Sequence, residues 1–239
     1  MVLYLEYLHT WMNGGRCRVN AAMGNSGSSR QRNSEEERVA FDSEVAGDSN
    51  FVISFTKDPR SDFGVFAEGY FHAASELAEE LLSRGGFADF DAYPVVFLYR
   101  HSLELYLKNI IYKSALLMAF KFLSDIDTKL HNNHDLIFLS EKAVAVLQRL
   151  FPDDGSINQL AEDILNISSE FSEIDPNSFA YRYPIDRHGN PSTRPNQVVN
   201  LKRLCCTMNK VLDDLDTLDF GLQVETNQAQ EVYEILLGS

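Results

Sequence analysis

Beyond residue 62 the apolar residues recur at steps of three and four, the spacing that gathers them on one face of a helix. In DFGVFAEGYFHAASELAEELLSR that face is Phe66, Tyr70, Ala73, Leu77 and Leu81. Asp62 is placed to cap its start, and Gly85-Gly86 to end it through a left-handed turn. The turn FADFDAY leads to Pro94, a residue suited to the first turn of a second helix. That helix continues to about residue 123, with Ser114 as a place where it could break. A third helix follows in HDLIFLSEKAVAVLQRLF, with Leu136, Leu139, Ala143, Val146, Leu147 and Leu150 on one side. Pro152-Asp153-Asp154-Gly155 stops it. SINQLAEDILNISSEF reads as a fourth, capped by Ser156, with Leu160, Ile164, Ile167 and Phe171 turned inward. Residues 177–197 carry three prolines and no helical period, the pattern of a long ordered loop or a short hairpin. A fifth helix covers VVNLKRLCCTMNKVLDDLDTL, and AQEVYEILL offers one last turn in an acidic tail from Gln223. FVISF (51–55) is the only fair strand candidate. The pattern predicts an all-α, antiparallel helical bundle of about five helices, with the long loop before the last core helix. Its expected domain is 51–222, between a disordered or loosely docked leader (1–50) and the acidic tail (223–239).

The second helix organises the rest. In YPVVFLYRHSLELYLKNIIY (93–112), Leu98, Leu103, Leu105, Leu107, Ile110 and Ile111 cover most of the circumference, which is the mark of a buried helix. Arg100, Glu104 and Lys108 nevertheless fall on one stripe at i, i+4, i+8, with His101 beside them. Buried charge is costly unless paired. The stripe is therefore either an internal ion-pair network or one wall of a polar site.

Composition narrows the function classes. The 239 residues are 44% hydrophobic and 23% charged, as in ordinary globular proteins, but the net charge is -14. That balance opposes indiscriminate binding to nucleic acid or anionic membrane. Cys17, Cys205 and Cys206 form no disulfide or metal-ligand pattern; the adjacent pair reads as two small buried side chains. A reducing compartment, the cytoplasm, is the expectation. The opening MVLYLEYLHTWM lacks a basic start and a cleavage site, and no apolar run approaches the roughly 20 residues needed to span a bilayer, so no membrane association is expected.

Charge is uneven along the chain. Arg182, Arg187, Arg194, Lys202, Arg203 and His188 face a single acid, Asp186, between Tyr181 and Arg203. A basic loop in an acidic protein suits a phosphate or carboxylate, because arginine offers bidentate hydrogen bonds to either. It is equally the pattern of surface pairing with neighbouring acids. On the stripe, His101 has the chemistry of a general base and Arg100 that of a cation stabilising a phosphorane. HNNHD sets His131 three residues before His134 with Asp135 following, but no further ligand comes at a useful spacing, so no metal is expected. The loops and motifs of P-loop ATPases, dinucleotide-binding dehydrogenases, zinc proteases and serine hydrolases are absent, and no cofactor is expected.

Three segments resemble the HEPN superfamily, the "higher eukaryotes and prokaryotes nucleotide-binding" helical domains of toxin–antitoxin and phage-defence loci. They are RHSLELYLKNII on the second helix, the HDL opening of the third (His134, Asp135, Leu136), and FAYRYP in the loop. The resemblance spans about residues 62–220 and implies a bundle that often dimerises. Many members are metal-independent endoribonucleases using Arg and His in the pattern R-x4–6-H. Here Arg182 and His188 match with five residues between, although Pro184 and Gly189 place them in a loop rather than at a helix end. On this resemblance Arg182, His188, Arg100, His101 and Glu104 are the catalytic candidates. Lys108, Tyr183, Asp186, Arg187, Arg194 and His134 are the substrate-binding candidates.

Two readings follow. In one, the chain is a defence-type endoribonuclease or a nucleotide- or RNA-binding protein, homodimeric and with a cognate protein partner. In the other it is a non-catalytic helical interaction module, an accessory or inhibitory subunit, and the stripe is structural.

Overall fold

A computed structural model describes residues 62–84, 89–121, 133–176, 178, 180–186 and 188–237. The leader, the FVISF segment, Gly85-Gly86, His131 and Arg187 lie outside the described residues. The architecture is all-α, with five helices among the described residues: α1 (Phe63–Ser83), α2 (Ala92–Phe120), α3 (Leu136–Leu150), α4 (Gly155–Ile174) and α5 (Leu201–Leu237). A 3-10 turn, Asp89–Asp91, leads into α2. Among the described residues no helix is long and apolar enough to cross a membrane.

Helix α2 is the hub, packed against α1, α3 and α5. It is unbroken at Ser114, which is buried. Its apolar girdle of Leu103, Leu107, Ile110, Ile111 and Leu117 is excluded from solvent, as its all-round hydrophobicity requires. Three side-chain bonds fix its register against α5: Tyr99 to Asn209, Tyr106 to Asp216 and Asn109 to Asp219, each pair 110 residues apart. A constant difference in residue number means parallel helices; antiparallel neighbours have a constant sum. Helix α1, by contrast, runs antiparallel to α5. Asn209 donates to Ser75 near the end of α1, and Asp219 lies beside Gly64 at its start.

The inward face of α1 is Ala67, Phe71, Ala74, Ala78 and Leu81, one position round from the expected one; Phe66 is 49% exposed and Ala73 is exposed. The bulk of α2 is the reason. Large residues on α2 need small partners, so three alanines face it, and Ser102 Oγ donates 2.7 Å to the carbonyl of Ala67. A Cβ at Gly64 would meet Asn109 Nδ2 at 2.9 Å, so the helices touch backbone to side chain there.

The other helices follow their patterns more closely. α3 buries Leu136, Leu139, Ala143, Val146 and Leu147, and α4 buries Leu160, Ile164, Ile167 and Phe171. Asp135 and Asp154 cap them, each accepting two backbone N–H groups, so Asp154 takes the role expected of Ser156. Asp62 occupies the N-cap of α1 but makes no capping bond there. α5 runs on to Leu237 without interruption, so the expected boundary at 222/223 falls inside a helix. Cys205 is buried but Cys206 is exposed, because neighbouring helical positions point about 100° apart. The long loop contains a short hairpin, with an isolated antiparallel bridge between Ile185 and Pro191.

Candidate functional site

Arg100, Glu104 and Lys108 are 2%, 1% and 3% exposed, so the stripe lies inside the bundle. Glu104 is its centre. Its Oε2 accepts from Arg100 Nη1 at 3.2 Å, and its Oε1 accepts from Lys108 Nζ at 2.9 Å and from His134 Nδ1 at 2.8 Å. A carboxylate can only accept, so Nδ1 is the protonated nitrogen of His134. Burial alone would push the Glu104 carboxyl up, but Lys108 and His134 outweigh it and hold it below the usual carboxylate range. Arg100 Nη2 donates to the His134 carbonyl at 3.1 Å. Its Nε lies 3.2 Å from Asp175 Oδ2, an ion pair whose N–H direction misses the oxygen. Two cations and two anions therefore balance inside the protein.

Ser178 connects this interior to the surface. Its hydroxyl accepts from Arg100 Nη1 at 2.7 Å, and its carbonyl accepts from Arg182 Nε at 2.8 Å. Arg182 Nη2 donates to the same carbonyl. Ser178 is buried with φ +61°, a left-handed conformation that a serine adopts only when its surroundings compensate. Asp175 adds a second tie, accepting from the Ala180 amide at 3.0 Å. Thus the buried charges hold the 178–182 turn against α2.

Above this turn the exposed side of α2 carries Tyr93, Phe97 and His101, again at i, i+4, i+8. The His101 ring lies 5.5 Å from Phe97 in a stack and 4.6 Å from Tyr70 of α1, edge to face. The Arg182 guanidinium sits 5.7 Å from the Phe97 ring and 5.9 Å from the Tyr183 ring. Burial lowers the pKa of His101; Glu104 pulls it up, but Arg182, Lys108 and Arg100 push it further down. The imidazole is therefore neutral over a wider range of pH than an ordinary histidine. A neutral imidazole, a surface guanidinium and three aromatic rings now share one patch.

The expected residues divide sharply. His101, Arg182 and Tyr183 come together; Arg100, Glu104 and Lys108 support them from inside; His134 is half-exposed and closes the network over Glu104. His188 does not join them. It is exposed at the hairpin turn, and its amide donates to Asp186. Asp186 also accepts from the Asn190 amide and side chain, bonds that lower its pKa, so its work is to hold the turn. Arg182 thus stands beside the Phe97–His101 face of α2, while His188 is exposed at the hairpin turn. Arg194 lines a neighbouring cleft with Tyr93 and Tyr181. Among the described residues no group of three or more His, Cys, Asp or Glu side chains is arranged to hold a metal ion.

Sequence reasoning missed Tyr70, Phe97, Asp175 and Ser178. Only Phe97 left a usable signal, its four-residue spacing from Tyr93 and His101. No family model, curated protein or solved structure matches this chain.

Proposed function

We propose that the chain binds RNA or nucleotides and cleaves RNA at the His101–Arg182 patch, as a HEPN-like endoribonuclease of a bacterial defence or toxin–antitoxin system. The observation that carries this reading is the convergence of Arg182, from the loop, on the face of α2 that bears Phe97 and a neutral His101. In this reaction His101 takes the proton from a ribose 2′-hydroxyl, and the oxygen attacks the adjacent phosphorus. Arg182 stabilises the charge that gathers on the phosphorane oxygens. The 5′-oxygen then leaves with a proton from water, giving a 2′,3′-cyclic phosphate and a 5′-hydroxyl. Tyr70, Phe97 and Tyr183 offer rings on which unpaired bases stack, a contact open to any base. The acidic remainder of the surface keeps binding confined to this patch. Incubation of end-labelled tRNA with the protein in EDTA tests the reading. Cleavage by wild type, lost in His101→Gln and Arg182→Ala, is expected; no cleavage, or undiminished cleavage by both variants, overturns it.

The second reading, a non-catalytic interaction module, draws on α5. Phe220, Val232, Ile235 and Leu236 are 56–78% exposed there, an apolar edge that a protein partner or a second copy would cover. Light scattering of wild type beside Phe220→Asp decides it: a dimer that the variant dissolves supports this edge as an interface, and two monomers remove the self-association form.

A further inference from the structure

A cleft of about 560 Å³ opens beside the patch, lined by Asp89, Tyr93, Val96, Tyr181, Arg194 and Gln197 among others. Its size is within the ~300–1,000 Å³ of small-molecule sites. It is continuous with the patch by sequence and by geometry. Tyr93 is one helical turn before Phe97 on α2, and Tyr181 directly precedes Arg182 in the loop. The Tyr93 and Tyr181 rings lie 6.2 Å apart, tilted by 42°. Arg194 is exposed at the wall, the only cation among the lining residues.

Two polar atoms at this cleft lack partners. The Tyr181 hydroxyl and Gln197 Oε1 are buried without a hydrogen bond. Burial, with Asp175 and Tyr93 nearby, pushes the Tyr181 hydroxyl up to about 12, so it remains a donor at neutral pH. An unmet buried polar group costs ~1–3 kcal/mol, and a ligand that meets it recovers that cost. Both side chains line the cleft, and the segment that carries Gln197, 194–200, has no regular secondary structure to oppose a turn of that side chain toward a ligand.

We infer that this cleft is a nucleobase subsite, reading the nucleotide next to the one cleaved. A base supplies a flat face for Tyr93 and an edge of donors and acceptors for Gln197 and the Tyr181 hydroxyl, and Arg194 pairs with its phosphate. The patch by itself stacks any base, whereas the cleft discriminates among them, since an edge that fails to pair leaves buried groups unmet. The inference rests on the RNA reading of the His101–Arg182 patch.

Calorimetric titration of the full chain with AMP, GMP, CMP and UMP tests it. Saturable binding with a preference among the four is expected. Tyr181→Phe and Gln197→Leu each weaken the preferred nucleotide about tenfold, equivalent to ~1.4 kcal/mol. Arg194→Ala weakens all four by a common factor and leaves the free nucleosides unaffected. Tyr181→Phe also serves as its own folding control, because deleting an unpaired buried hydroxyl leaves thermal stability equal or higher. No saturable binding, or affinities unchanged in both Tyr181→Phe and Gln197→Leu, overturns the subsite. The two proposals fail separately. Nucleotide binding without RNA cleavage removes the catalytic reading and keeps the cleft. Cleavage without mononucleotide binding removes the cleft and keeps the catalytic pair.

Discussion

Two neighbouring stripes of α2, one charged and one aromatic, share the same spacing and do opposite things. Arg100, Glu104 and Lys108 recur every four residues and are buried, mutually neutralised and closed to any ligand. Tyr93, Phe97 and His101 recur every four residues, one position round from the charges, and remain at the surface. Charge draws attention in a sequence, yet here the charged stripe is the foundation and the aromatic stripe is the candidate working face. The difference lies in what covers each. Asp175, Ser178 and His134 close over the charges, whereas the aromatic stripe meets the edge of α1 and the turn at Tyr181 and Arg182.

The largest effect separating the two stripes is on stability. Glu104→Ala leaves Arg100 and Lys108 buried without their shared partner and is expected to cost ~3–5 kcal/mol in urea denaturation. A loss below about 1 kcal/mol would dissolve the contrast between foundation and face.

Next comes activity at the other stripe. His101→Gln and Arg182→Ala are each expected to lower RNA cleavage by about a hundredfold, since proton transfer and charge stabilisation contribute at least that much. Their denaturation midpoints should stay near wild type. Equal losses of stability and activity would mean that the aromatic stripe is merely structural too.

Ser178 links the stripes, so its variants sharpen the comparison. Ser178→Ala removes the hydroxyl that accepts from Arg100 and is expected to cost ~1–3 kcal/mol. Arg182 keeps its bond to the Ser178 carbonyl, so cleavage falls less than in His101→Gln. Ser178→Gly should cost less than alanine, because glycine accepts the left-handed backbone without strain.

The pH response separates the stripes by sign and window. His101, its pKa depressed, is bound by a proton more readily in the unfolded chain. Its effect is to lower stability as pH falls below about 6.5, and none is expected above. Glu104 is depressed as an acid, so its contribution is complete above about 4.5 and is lost as pH falls through its lower folded value. Cleavage should therefore persist to lower pH than an ordinary histidine base allows, with its acid limb under about 6.5. A limb at or above that value contradicts the assignment of His101 as base. The smallest effect is expected at the hairpin: His188→Ala should leave cleavage unchanged, and a loss comparable to His101→Gln would restore the Arg182–His188 pairing.

Hydrophobic spacing by itself determined that the protein is all-α, where α3 and α4 lie, and that α2 is buried, because a helix records its environment in its own period. It also brought Arg100, Glu104 and Lys108 onto one stripe, since i, i+4 contacts are local. Three things were decided only by the tertiary structure. The inward face of α1 depends on its neighbour: Ala67, Ala74 and Ala78 are less hydrophobic than Phe66, yet they are the buried positions, with Phe71 and Leu81. The continuity of α5 past residue 222 depends on packing rather than on composition; Leu222 and Thr226 are buried in an otherwise polar stretch. The approach of Arg182 to Phe97 on α2 spans 85 residues and is held through Ser178 and Asp175, whose short side chains have no periodicity to announce them. Local spacing fixes which residues share a helix face. Which face meets which loop is set by long-range packing, where shape and charge pairing act between segments that the sequence holds far apart.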